Sequence, residues 1–329
     1  MWASRQSARV ANVRALATHF HAHVVTFDYR GFGDCSGEPT EDGIAADARA
    51  AWDWVAARAG IRNAKKTEQC SVVIYGQSLG SAVAARLVDD LFQEKVASDG
   101  QKHRMRRPVP MAPSGVILDA PFTSLAEAAL HLPTSRLLLK CLALAPAPPS
   151  WMLDGKQYMS MAEVALAALP DKWETERHAT RLVRNASREV LLAANQETPE
   201  VFSSPSMGPN PLRCVGVRVL VLAHSRDEVI SLHLSQKVHR AACDSAATVV
   251  AAVNDDMHPD AAHVSSAPQR LSAAERKRIL AAAVVVSKVV VDRGHKVMKR
   301  YHVDAFTSYE WVAALGPFLD DCAGKDRRG

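Results

Sequence analysis

The chain has 329 residues, of which 48% are hydrophobic and 23% are charged, and its formal net charge is +5. This composition is that of a globular protein, with enough apolar residues for one large α/β domain with insertions or for two small domains. No apolar run reaches the ~20 residues that a bilayer-spanning helix needs, and the sequence shows neither zinc-site spacing nor the aromatic and basic interleaving typical of nucleic-acid binding.

The N-terminal part of the sequence alternates between helical and strand patterns. The predicted elements are a helix over 1–20, a buried strand over 23–29, a helix over 40–59, a strand over 70–75, a helix over 79–92 and a strand over 115–120. In the second helix, Trp52 and Trp54 are expected to face the sheet. Alternating strands and helices predict a mostly parallel sheet flanked by helices, with right-handed crossovers.

The alternation breaks after residue 124. Short helical stretches joined by proline-rich connectors, over 125–130, 135–144, 159–169 and 175–194, predict a helical cap inserted over the sheet. The sheet resumes at 217–223, and the elements that follow are a helix over 232–242, a strand over 248–253, a helix over 271–283, a β-branched run over 284–291 and a final helix over 308–319. The last two β-branched runs compete to be the last strand.

These elements predict an α/β core in two parts. The core comprises residues 1–124 and 214–329, the cap comprises 125–213, and a surface insertion lies at about 254–283.

The run Gly76-Gln77-Ser78-Leu79-Gly80 lies between the predicted strand over 70–75 and an alanine-rich helix. Alone, it is compatible with an ordinary strand-to-helix turn, but its flanking strand and helix are the context of a nucleophile elbow. The turn is expected to hold Ser78 in a strained conformation, with its hydroxyl above the strand end. Glycines at 76 and 80 are expected because a Cβ would collide there. The N–H of Leu79, at the helix N-terminus, is the predicted oxyanion donor.

With these motifs in order, the sequence resembles the α/β-hydrolase-domain lipases that act on lysophosphatidylserine and monoacylglycerol. The blocks that carry the resemblance are 23–34, 37–43, 76–80 and 117–124, and similarity recurs around 217–231 and 295–320. The resemblance implies an α/β-hydrolase fold. In that family, further strands and the loop that supplies a second oxyanion N–H precede the helix that opens this chain. The resemblance therefore predicts an N-terminally truncated sheet.

In this fold the catalytic residues follow the order serine, acid, histidine. Asp227 comes just after the strand over 217–223, in a frame similar to the family's acid loop, and is the predicted acid, with Glu228 in reserve. An alternative role for Asp227 is to cap the helix that follows.

Three histidines remain candidates for the base. His302 is preferred because His302-Val303-Asp304 resembles the family's His-Asn-Asp and the terminal helix follows without a gap. His295, in a Gly-His pair, is second, and His258, just past the predicted strand over 248–253, is third. A surface location remains the alternative for each.

These residues predict a serine hydrolase that cleaves a lipid ester of lysophospholipid or monoacylglycerol type through an acyl-enzyme, with no metal or organic cofactor. A serine peptidase and a catalytically inactive binding protein of the same fold are the alternatives. The expected partner is a small-molecule lipid or ester, with no nucleic acid. The basic cluster over 102–107 predicts a solvated loop or, alternatively, contact with an anionic membrane surface.

The sequence does not assign a location. The six cysteines are scattered, which favours free thiols in a reducing compartment, and no signal peptide is present. Members of the family are often anchored to internal membranes through an upstream helix.

Overall fold

A parallel sheet forms the centre of the described part of the chain. The computed structural model describes residues 7–58, 71–100, 113–131, 141–142, 144, 161–196, 216–227, 229–255, 272–291 and 309–323. Its strands are β1 (Val73–Gln77), β2 (Gly115–Asp119), β3 (Arg218–His224) and β4 (Val285–Val291), which pair in the order β1-β2-β3-β4. Each neighbouring pair is parallel, so the carboxyl ends of all four strands lie at one edge.

Helices occupy both sides of this sheet. They are α1 (Ser7–Phe20), α2 (Glu41–Arg58), α3 (Leu79–Gly100), α4 (Leu125–His131), α5 (Met161–Ala167), α6 (Thr175–Gln196), α7 (Leu232–Asp255), α8 (Ala273–Ala283) and α9 (Tyr309–Ala323). Side chains of α3, α6, α7 and α8 form one core cluster with β2 and β3, and α9 forms another on the opposite face, with α1 packed against it. The order of layers is therefore helix, sheet, helix.

The two central strands are buried on both faces. Every residue of β2 and of β3 is buried, and their side chains alternate between the two clusters. Val116 and Leu118 point toward the α3 and α6 side, whereas Ile117 and Leu220 pack against Trp311 of α9. Parallel strands that are covered by helices on both faces consist of continuous apolar residues, and for this reason both strands could be predicted from the sequence.

Two predicted strands are wrong. Residues 23–29 run from His23 to Tyr29 without strand pairing, and Val25 is 51% exposed. A β-branched run forms a strand only where a neighbouring strand and a covering layer are available, and among the described strands β1 pairs with β2 alone. Residues 248–253 belong to the single helix α7, in which Val249 is buried in the core and the Thr248 hydroxyl donates to the Asp244 carbonyl.

The strand β4 is consequently the last described strand, which resolves the competition in favour of the β-branched run over 284–291. The helix α8 precedes it and begins with a capping box between Ser272 and Glu275. Leu280 and Ala283 of α8 are buried in the core, so this end of the predicted surface insertion packs against the rest of the domain.

The helix α6 falls within the predicted cap region but packs against the core. Its buried side chains, among them Leu182 and Val190, share a cluster with α3, α7 and the sheet. The described part of the cap region thus contributes a helix to one layer of the core. The boundaries of the predicted cap stay a prediction. No helix among the described residues has the length and apolar character needed to cross a bilayer.

Two tryptophans of α2 give a matched test of the packing. Trp52 is 4% exposed and packs against α3, whereas Trp54 is 50% exposed and lies under the Arg58 guanidinium, so the expectation that both face the sheet is wrong for Trp54. Trp52→Ala should lower the free energy of unfolding by about 3–5 kcal/mol, and Trp54→Ala by about 1 kcal/mol or less. Chemical denaturation of both variants measures the difference, and equal losses would contradict the placement of α2.

Candidate active site

Ser78 is the single residue between the end of β1 at Gln77 and the start of α3 at Leu79. Its φ of 51° is in the left-handed region, which costs a non-glycine residue roughly 1–2 kcal/mol. The turn is held by the carbonyl of Ser78, which accepts both the N–H and the hydroxyl of Ser81, at 2.8 and 2.6 Å. Leu79 begins α3, so its N–H belongs to the first turn, where backbone donors lack an intrahelical acceptor. The predicted order of strand, turn and helix is present.

The two glycines of the motif have different surroundings. A Cβ on Gly76 would lie 2.0 Å from the carbonyl oxygen of Gly80, so the strand and the start of α3 approach more closely than any other residue allows. A Cβ on Gly80 would meet only the Tyr29 hydroxyl, at an ordinary 3.8 Å. The expected collision is therefore found at Gly76, and the expectation for Gly80 is wrong.

The N–H of Ser78 donates to the backbone carbonyl of Asp119, the last residue of β2, at 2.8 Å. This bond continues the ladder between β1 and β2 one step beyond the strand, and it ties the turn to the neighbouring strand. The carboxylate of the same residue, only 1% exposed, accepts the Nε2–H of His224 at 2.5 Å and the hydroxyl of Tyr75. Asp119 thus connects the ends of β1, β2 and β3.

The Tyr75 hydroxyl completes this buried group. Burial and the carboxylate of Asp119 raise the pKa of Tyr75 well above its ordinary value, so the hydroxyl stays protonated and donates. The indole of Trp311, in α9, packs in the same cluster as Tyr75 and lies beside its hydroxyl. The four side chains make a polar cluster on the α9 side of the sheet, at its carboxyl edge. None of the four is among the residues predicted for the site from the sequence; the signal that could have found two of them is that polar residues, Asp119 and His224, end two apolar strands.

Asp227, the predicted acid, lies in the loop that follows β3. Its Oδ1 accepts the N–H groups of Val229 and Ile230, at 2.8 and 2.9 Å. The loop is anchored on one side by the Ser225 N–H, which donates to the carbonyl of Val291, and on the other by buried Ile230. The helix α7 begins only at Leu232, so these bonds orient the carboxylate within the loop rather than cap the helix as the alternative predicted.

The other predicted members of the site lie outside the described residues. These are the reserve acid Glu228 and the candidate bases His258, His295 and His302, together with the basic cluster over 102–107. His258 was a candidate because it follows a predicted strand over 248–253, and that strand is absent because these residues are helical. His295 and His302 both follow β4 and precede α9 in the chain.

A glycine-rich loop lies beside the turn at Ser78. Tyr29, whose hydroxyl faces Gly80, opens this loop, and Gly31 and Gly33 take left-handed conformations within it. The Arg30 side chain fixes the loop to α2 through Asp47, with an Nη2–Oδ1 distance of 2.7 Å. These bonds lower the pKa of the Asp47 carboxyl, chiefly through the hydrogen bond from the guanidinium. The loop is thereby held against the helix next to the candidate site.

A second set of hydrogen bonds holds the segment that leads into α6. The carboxylate of Glu41, at the start of α2, accepts the N–H groups of Lys172 and Trp173, at 2.7 and 3.0 Å. The Glu41 N–H donates in return to Asp171. Trp173 is buried with a left-handed φ of 45°, a strained conformation that these contacts maintain. The segment therefore has a fixed position beside the carboxyl edge.

In the described ranges, no group of three or more His, Cys, Asp or Glu side chains is arranged to hold a metal ion. The chemistry that the site offers is that of a serine in a strained turn, a helix N-terminus and an oriented carboxylate.

The chain belongs to the alpha/beta hydrolase family, whose model matches residues 1–315. The parallel sheet between helical layers agrees with that family and confirms the predicted fold class. Family membership supports hydrolase chemistry.

Relatives match over part of their length. An uncharacterized protein of Mycobacterium tuberculosis is 39% identical over 120 residues, which are 35% of this chain and 34% of that protein. Lysophosphatidylserine lipase ABHD12 of Gallus gallus is 40% identical over 113 residues, which are 34% of this chain and 24% of the lipase. The match thus spans about a third of the one and about a quarter of the other. A solved esterase of Pyrococcus furiosus aligns over 96% of this chain and 75% of its own, with 13% identity and a TM-score of 0.43.

The glycines of the motif give a matched pair of variants. Gly76→Ala should lower the free energy of unfolding by 1–3 kcal/mol or more, because its methyl group must displace the backbone at Gly80. Gly80→Ala should leave stability unchanged or raise it by up to about 1 kcal/mol, because alanine favours a helix over glycine. Thermal unfolding of both variants measures this, and an equal loss in the two would contradict the close approach at residue 76.

Proposed function

We propose that this chain is a serine hydrolase that cleaves a lipid ester of lysophospholipid or monoacylglycerol type, with Ser78 as nucleophile, Asp227 as acid and His302 as base. The observation that carries the proposal is the left-handed turn that presents Ser78 between β1 and the first turn of α3. A strained serine at this position is the feature that a nucleophile elbow requires.

The acid is proposed on its location. Ser78 follows β1 and Asp227 follows β3, and the parallel pairing through β2 brings both loops to the same edge of the sheet. The two backbone N–H groups that bind Oδ1 orient the Asp227 carboxylate. An oriented carboxylate is what a catalytic imidazole needs to hold its tautomer and to stabilise its charged form.

In the proposed reaction, His302 takes the proton of the Ser78 hydroxyl while that oxygen attacks the ester carbonyl. The Leu79 N–H donates to the oxyanion of the tetrahedral intermediate, and the imidazolium then protonates the leaving alcohol. Water attacks the resulting acyl-enzyme with His302 again as base, which releases the fatty acid and restores Ser78. The substrate class is proposed from the similarity to lysophosphatidylserine lipase ABHD12.

Ser78→Ala should lower ester hydrolysis by at least ~10³-fold and abolish labelling by a fluorophosphonate probe, because no other group replaces the nucleophile. Ser272→Ala, which removes an exposed helix cap at α8, is the matched control and should keep full activity. Retained labelling or hydrolysis in folded Ser78→Ala protein would refute the assignment. Faster cleavage of aminoacyl amides than of monoacylglycerol or lysophospholipid by the unmodified chain would replace the lipase with a peptidase.

The base is tested by three parallel variants, His258→Gln, His295→Gln and His302→Gln. Only His302→Gln is expected to lose at least ~10³-fold in hydrolysis, because only the base accepts the serine proton. The rate constants of all three, measured on folded protein, decide among them. A loss confined to His295→Gln or His258→Gln would move the base to that residue.

A further inference from the structure

Asp119 connects the two halves of the candidate site. Its backbone carbonyl accepts the N–H of Ser78 at 2.8 Å, and its carboxylate accepts the Nε2–H of His224 at 2.5 Å. His224 is the last residue of β3 and lies three positions before Asp227. One residue is therefore bonded to the nucleophile through its main chain and to the start of the acid loop through its side chain.

We propose that Asp119 and His224 are positioning residues that set the distance between Ser78 and the loop carrying Asp227. This inference rests on the proposed function, since it takes Ser78 as the nucleophile and Asp227 as the acid.

The geometry of the sheet argues against a direct catalytic role for His224. It ends β3, whereas Ser78 follows β1, and β2 lies between them. Strands lie ~4.8 Å apart, so β1 and β3 are separated by roughly 10 Å. His224 is also only 1% exposed, and its Nε2–H is directed to Asp119. An imidazole so placed holds structure together and does not receive a proton from Ser78.

The position of Asp227 depends on the end of β3. The loop that carries it is held by the bond from the Ser225 N–H to the Val291 carbonyl, by buried Ile230 and, at its start, by the bond from the His224 side chain to Asp119. A shift of His224 would therefore displace the Asp227 carboxylate. Misplacement of a catalytic group by 1 Å can cost about 10²-fold in rate, so a small shift of this strand end is sufficient to matter.

A purely structural role is the competing explanation, since buried polar groups are costly when they lose a partner. The two explanations differ in their dependence on Asp227. If His224 acts by placing the acid, its loss should matter only when the acid is present. If it only stabilises the fold, any loss of activity should be independent of Asp227.

The experiment is a double-mutant cycle of His224→Leu and Asp227→Asn in the full chain, with hydrolysis of p-nitrophenyl butyrate and thermal unfolding measured for each variant. Asp227→Asn should lower kcat by about 10⁴-fold, as expected for a triad acid. His224→Leu should lower kcat about 10²-fold with KM nearly unchanged, and should add less than about threefold in the Asp227→Asn background. His224→Gln, which retains an N–H donor of similar reach, should recover most of the rate.

The proposal is overturned if His224→Leu costs the same factor with and without Asp227, if it costs nothing, or if His224→Gln is as slow as His224→Leu. Where His224→Leu does not fold, the triple variant Tyr75→Phe/Asp119→Leu/His224→Leu takes its place in the cycle, because it also removes the Tyr75 hydroxyl that donates to Asp119 and so leaves none of these three buried groups unpaired. An unmodified chain that hydrolyses no ester, or an Asp227→Asn variant with full activity, contradicts the proposed function itself. Full activity loss at Asp227 with an unaffected His224→Leu contradicts only the positioning role.

Discussion

The covering of the parallel sheet on both faces is the constraint on which the rest of the structure depends. Because helices pack on each side, β2 and β3 carry apolar side chains in both directions along most of their length. At the carboxyl edge, Asp119 ends β2 and His224 ends β3, and the two buried side chains bind each other. The candidate site lies at this same edge of the sheet.

The elements that could be predicted from sequence are those whose local pattern and surroundings agree. The turn at Ser78 was found because Gly76 is required by a local backbone approach, and the buried strands were found because both of their faces are apolar. The location of Asp227 directly after β3 could be predicted for the same reason. In each case the information lies within a few residues of the feature.

The features that sequence missed depend on distant partners. The β-branched run in α7 is helical because Val249 packs into a core that includes α3 and α6, more than fifty positions away, and this packing overrides its strand preference. The segment over 23–29 has the composition of a strand without the pairing that a strand needs. Trp54 could not be distinguished from Trp52 by composition. The bond between Asp119 and His224 joins residues 105 positions apart, and no local pattern reports it.

The double connection made by Asp119 has a consequence for how this site can change. Every amino-acid replacement of Asp119 except glutamate removes the carboxylate, whereas every replacement keeps the backbone carbonyl that accepts the Ser78 N–H. A point substitution at Asp119 therefore keeps the link between Ser78 and the sheet, whereas it can remove the link to His224, at the start of the loop that carries Asp227. If Asp119 is substituted during evolution, its bond to His224 can be lost while the turn at Ser78 keeps its shape. Such a protein would retain the outward form of a hydrolase after its chemistry has decayed.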